Sequence, residues 1–156
     1  MKKIILSLLI LISNLYVLFS ETIIQINNRK IIFEEYKIEN IIEVFGQPIK
    51  KSVIPFEYNS DWDTICYEYE SLTVFTSRIT KAPYKIEISG EPFSLNFNGK
   101  IINSGVSKSS IEELIGNLTL VKENTYFCEF QDFIDAYFIF ENNKLCSSLI
   151  EYTPMD

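Results

Sequence analysis

Side chains able to do chemistry are scarce in this chain, and those present are acids, three thiols and one indole. Histidine is absent, which removes the Ser-His-Asp and Cys-His nucleophile arrangements and the histidine-bearing zinc sites. Two carboxylate pairs stand close in sequence: Asp61 and Asp63 flank Trp62, and Asp132 and Asp135 lie in the segment QDFID. Acid–base catalysis needs two carboxylates converging on a cleft in different environments. Closeness in sequence supplies no cleft, so no catalytic residue is assigned. The run Asn59-Ser60-Asp61-Trp62-Asp63 offers hard oxygens of the kind calcium takes. It lacks the glycine and glutamate that complete an EF-hand loop, so no metal is assigned. The glycines are isolated and build no phosphate cradle, so no cofactor is expected.

Trp62 is the most informative single residue. Around it stand Phe56, Tyr58, Asn59, Asp61, Asp63 and Tyr67, mixing aromatic area with polar tips. That mixture suits a protein-binding patch, where Trp and Tyr tend to be hot spots. The competing reading is a plug between helix and sheet. The expected partner-binding residues are Trp62, Tyr58, Asp61, Asp63 and Phe133. Phe133 sits with Ile134 at an expected hairpin tip, where exposure of both would call for a partner.

These residues belong to a chain of 156, with 47% hydrophobic and 14% aromatic residues and a net charge of −7. That length suits one domain with its own core. Two arginines, Arg29 and Arg78, and an acidic balance leave no electrostatic footprint for nucleic acid. Residues 1–20 (MKKIILSLLILISNLYVLFS) read as a cleaved signal peptide: a Lys2-Lys3 n-region, an apolar run and small Ser20 before the cut. Removing them takes away two lysines and no acid, moving the charge from −7 to −9. The expected location is periplasmic or secreted, the mature form spans no membrane, and residues 21–156 form a single domain. Export permits disulfides. Cys66, Cys128 and Cys146 are an odd count, so at most one internal pair forms.

The elements that must position these groups are short. Asn27-Asn28 reads as a hairpin turn between two β-rich runs. Residues 37–45 place Ile38, Ile41, Ile42 and Phe45 on one helical face, with Gly46 and Pro48 as stops. Pro55 breaks the run 52–58, which suits a sheet edge or a bulge rather than a central strand. Residues 64–70 alternate, with Ile65, Tyr67 and Tyr69 on one face and Cys66, Glu68 and Glu70 on the other. Phe93, Leu95 and Phe97 alternate ahead of Asn98-Gly99, the strongest hairpin signal in the chain. Residues 107–116 predict a second helix with Ser109 and Glu112 as a capping box and Ile111, Leu114 and Ile115 as its stripe. One strand is expected from 119 on towards 130, and two more at 136–141 and 145–152.

Each helix–glycine–strand sequence is followed by a cysteine in its first long strand, so the chain reads as two tandem units, 21–105 and 106–156. The expected fold class is α+β, with short helices on one face of an antiparallel sheet. Such a repeat would bring Cys66 near Cys128 for a bridge; the alternative is three small buried apolar residues.

IENIIEVFGQP, the Trp62-Asp63 pair before a strand, and SKSSIEELIG resemble two groups of exported bacterial proteins: the small outer-membrane assembly lipoproteins and the β-lactamase-inhibitor-protein-like fold. INNRKI and FNGKIINSG extend the likeness to an uncharacterised family of exported bacterial α+β proteins, from Ile24 to Gly116. The chain lacks the lipid-anchor cysteine of the assembly lipoproteins. What the resemblance implies is binding rather than catalysis. The expected function is therefore a non-enzymatic exported protein-binding module, inhibitor or immunity-type or an envelope-assembly accessory. Its partner is another exported or envelope protein with a basic surface. The rivals are a small-ligand carrier with an aromatic-lined pocket between helices and sheet, and a carboxylate-only enzyme such as a glycosidase.

Overall fold

The computed structural model describes residues 21–152 except 34, 91 and 132; the expected signal segment and Asp132 lie outside the described residues. The first half runs β1 (Thr22–Ile26), β2 (Arg29–Ile32), α1 (Ile38–Phe45), β3 (Lys50–Ile54), a 3-10 turn (Ser60–Trp62), β4 (Thr64–Glu68), β5 (Leu72–Ser77) and β6 (Pro83–Ser89). The second half repeats that order with β7 (Phe93–Phe97), β8 (Lys100–Asn103), α2 (Lys108–Ile115), β9 (Thr119–Lys122), β10 (Thr125–Gln131), β11 (Ile134–Glu141) and β12 (Lys144–Tyr152).

The fold is α+β with two antiparallel sheets, where the sequence led us to expect one. A four-stranded sheet has the order β2-β1-β7-β8 and an eight-stranded sheet the order β3-β4-β5-β6-β12-β11-β10-β9. Both orders read the same from either end once each strand is exchanged for its counterpart. The halves therefore meet at a pseudo-two-fold, with seams at β1–β7 (Ile24 opposite Leu95) and β6–β12 (Glu87 opposite Leu149). The topology divides at residues 90–92, ahead of the β7–β8 hairpin, rather than at 105.

Alternation builds the core. Ile24, Ile26, Phe93, Leu95 and Phe97 of the small sheet and Val74, Ile86, Ala136, Phe138 and Ile150 of the large one share one continuous buried cluster. The helices flank the small sheet over the same face: Phe45 of α1 meets Tyr69 beside β4 (centroids 6.0 Å apart), and the Lys108 ammonium of α2 lies 4.7 Å from the Tyr126 ring of β10. Ile38, Ile41 and Ile111 are buried and Ile42, Phe45 and Ile115 pack against the core. Leu114 is 41% exposed, because the stripe of α2 runs through Ile111 and Ile115, four residues apart. The cap of α2 also differs from expectation: the Ser107 hydroxyl, not Ser109, accepts the Ser110 N–H (3.2 Å), and Glu112 instead binds Lys108 (2.7 Å). Gly46 and Gly116 end the helices at φ 84 and 98 with ψ near 180°, a region essentially restricted to glycine.

No bridge joins Cys66 to Cys128; all three thiols are free. The two lie in β4 and β10, five strand steps apart, or about 24 Å along the sheet at ~4.8 Å per step, against a Cα reach of roughly 4.4–6.8 Å. They also face opposite ways. Tyr67 opposes Val74 as Cys128 opposes Ala136, so Cys128 is the counterpart of Tyr67 and not of Cys66. Cys128 packs against the core with Tyr126 and Phe130, as Tyr67 does with Ile65 and Tyr69, whereas Cys66 lies on the other face of β4. Burial raises all three thiol pKa values.

Candidate functional site

Pro55 carries no N–H and ends β3, and the chain needs residues 55–63 to reach β4. The counterpart connection, β9 to β10, uses only residues 123–124. The second half thus makes the same strand pair without a loop, so folding alone does not require the longer one.

The loop is braced at its base. Asp63 is 6% exposed. One of its carboxylate oxygens accepts the Phe56 N–H (3.0 Å) and the other the Arg78 guanidinium (2.9 Å). The same Arg78 Nη1 reaches the Ser60 carbonyl (3.3 Å), and the Arg78 N–H donates to the Asp63 carbonyl (3.2 Å). Asn59 caps the 3-10 turn by accepting the Asp61 N–H (2.9 Å). The turn bearing Arg78 is tied in its turn to α1. The Ile38 N–H donates to the Lys81 carbonyl (3.0 Å) and Lys81 pairs with Glu39 (3.0 Å). That hydrogen bond holds the Glu39 carboxyl below, and the Lys81 ammonium above, its ordinary value.

On this base the aromatic side chains point into water. Tyr58 is 85% exposed, Trp62 63% and Phe56 46%. Phe56 sits at the centre, 5.3 Å from the Trp62 ring and 6.3 Å from the Tyr58 ring. Exposed Glu57 and Asp61 flank them. Exposed Val53 and Ile54 on the edge strand β3, and Ile79 beside Arg78, extend the apolar surface. The site is an acid-rimmed aromatic projection, hydrogen-bonded at its base.

The sequence-predicted residues separate here. Trp62, Tyr58 and Asp61 are displayed together, and the plug reading of Trp62 does not hold. Asp63 is a correction: its carboxylate is spent on Phe56 and Arg78 and serves as the loop's anchor. It therefore forms neither an acid–base pair with Asp61 nor part of a calcium cage, since a guanidinium already neutralises it. Phe133 is half-buried against Tyr152 (6.0 Å) at the same end of the large sheet, but four strand steps from β4. Ile134 beside it is 3% exposed, so the tip is not a second apolar projection. Among the described residues no three metal-ligating side chains converge, and no helix is long and apolar enough to cross a membrane. Sequence reading missed the roles of Phe56 and Arg78; the available signal was the length mismatch between the two halves' equivalent connections.

Fold and loop together define a class: a duplicated, two-sheet α+β protein with one asymmetric aromatic loop. Compared with known protein families, characterised proteins and solved structures, the chain has no match.

Proposed function

We propose that this is an exported, non-enzymatic protein-binding module that uses the 55–63 loop as its contact surface. It serves as an inhibitor or immunity-type protein, or as an accessory of envelope assembly, reaching the periplasm or exterior by a cleaved signal in residues 1–20. One observation carries the reading: Trp62, Phe56 and Tyr58 are held in water on a loop braced by the ion pair of buried Asp63 with half-exposed Arg78, where the second half of the molecule has a two-residue turn. Exposed aromatic area costs solvation free energy, and rigid Trp and Tyr anchors are what interface hot spots are made of. Glu57 and Asp61 on the rim favour a basic partner surface and a salt-sensitive association.

The test is a parallel capture from native envelope extract with wild-type protein, Trp62→Ala and Tyr58→Ala at low and high salt. A partner retained by wild type at low salt, and lost with Trp62→Ala while the variant keeps its fold by circular dichroism, is the expected result. Equal capture by all three proteins would overturn the assignment of the loop.

A further inference from the structure

The second departure from two-fold symmetry lies at the opposite end of β4 from the aromatic loop. Thr22 opposes Phe97 and Ile26 opposes Phe93 across the β1–β7 seam, which makes Ile26 and Phe97 counterparts. In the second half the Phe97 ring is stacked on Phe130 at 3.7 Å and 13°, and Phe130 packs edge-on against Phe138. That corner is filled. In the first half the smaller Ile26 stands in the place of Phe97, and Tyr69 leans away onto Phe45 (6.0 Å, 60°). The corner is left as an open cavity of about 360 Å³, at the small end of the ligand-pocket range.

Its lining includes Ile26 and the rings of Phe45 and Tyr69 together with polar Arg29, Gln47 and Glu70. The Arg29 guanidinium lies 5.5 Å from the Phe45 centroid and forms no ion pair among the described residues. The other arginine, Arg78, is taken by Asp63.

We propose that this cavity binds a small molecule carrying one aromatic ring and one carboxylate. The ring occupies the space that Phe97 fills in the other half, between Ile26 and the Phe45–Tyr69 pair. The carboxylate meets Arg29, whose planar fork matches two carboxylate oxygens. A single cation beside Glu70, in a protein of net charge −7, suits a monoanion better than a phosphate dianion. The site lies apart from the 55–63 loop, so it stands or falls independently of the protein-binding reading.

The experiment is a titration of the isotope-labelled protein, followed by amide chemical shifts, with phenylacetate and with its neutral analogue phenylacetamide. Saturable shifts at Gln47, Tyr69 and Ser71 with the acid, and binding at least tenfold weaker with the amide, are expected. Arg29→Gln, an exposed change, should weaken the acid about tenfold and leave the amide unchanged. Ile26→Phe copies the second half's filling and should abolish binding of both probes with amide dispersion retained. Absence of saturable shifts at these residues, equal binding of acid and amide, or full phenylacetate binding by folded Ile26→Phe would each overturn the proposal. If Ile26→Phe does not fold, Arg29→Gln and the acid–amide comparison decide.

Discussion

Replacing Trp62 by alanine should cost at most about 2 kcal/mol of stability, clearly less than replacing Phe97. Trp62 keeps 63% of its surface in water, so just over a third is covered. For a side chain offering on the order of 250 Å² that is roughly 90 Å². At about 25 cal/mol per Å² the covered area is worth about 2 kcal/mol, an upper bound because the unfolded chain also shields part of it. Loss of the Phe56 contact belongs to the same figure, since that ring is the neighbour doing the covering. Phe97 is 1% exposed and stacked on Phe130. Phe→Ala at such a site costs about 3–5 kcal/mol from lost burial plus the cavity left behind. The measurement is urea unfolding followed by far-ultraviolet circular dichroism, since Trp62 is the only tryptophan and its removal takes the fluorescence with it. A Trp62→Ala loss of 3 kcal/mol or more, or equal to that of Phe97→Ala, would mean that the ring is part of the core and that the loop is not a displayed surface.

Tyr69→Phe should be neutral or stabilising by up to about 1 kcal/mol in the same assay, because its phenol oxygen is buried with no hydrogen-bond partner among the described residues. Gly116→Ala should cost about 1–3 kcal/mol although nothing lies within 4 Å of the added carbon, the whole effect being backbone strain at φ 98. The Lys108 hydrogen bond lowers the Glu112 pKa from 4.5. The pair's stabilisation is therefore complete above pH 4.5 and lost as pH falls through the lowered value, so Glu112→Gln should flatten that part of the acid limb of an unfolding–pH profile. With all three thiols free, the denaturant midpoint should be the same with and without reductant.

Local patterns made much of this fold readable. The alternation of Phe93, Leu95 and Phe97 before Asn98-Gly99, and the isoleucine stripe closed by Gly46, state periodicities of two and 3.6 that pairing then respects. Pairing partners are a different matter. That Ile24 lies opposite Leu95, and β6 opposite β12, depends on long-range closure that no local window contains. This is why a single sheet was expected where two form. The β9–β10 turn escaped notice because Glu123-Asn124 lacks the usual glycine, Asn124 alone taking φ 56. Cys128 was set against Cys66 because similar position in two strands does not fix which face a residue takes; its counterpart is Tyr67, one residue further on. At the site, residue types singled out Trp62 and Tyr58, and the loop displays both. Asp63 was misread because its role is set by Arg78, fifteen residues away across a turn.

The placement of β12 has a kinetic consequence. Although it follows every other described strand in the chain, it lies in the middle of the large sheet, between β6 and β11. Until it arrives, β6 waits with a bare row of backbone groups and the other seven strands of the large sheet form two separate ribbons. Closure of the seam, with Ser147 donating to the Ile88 carbonyl across 59 residues of chain, must come late and slowly, since distant pairing cannot repay its loop entropy earlier. A chain interrupted before Lys144 would keep nearly all its local structure and lack the strand that joins the two halves of the large sheet.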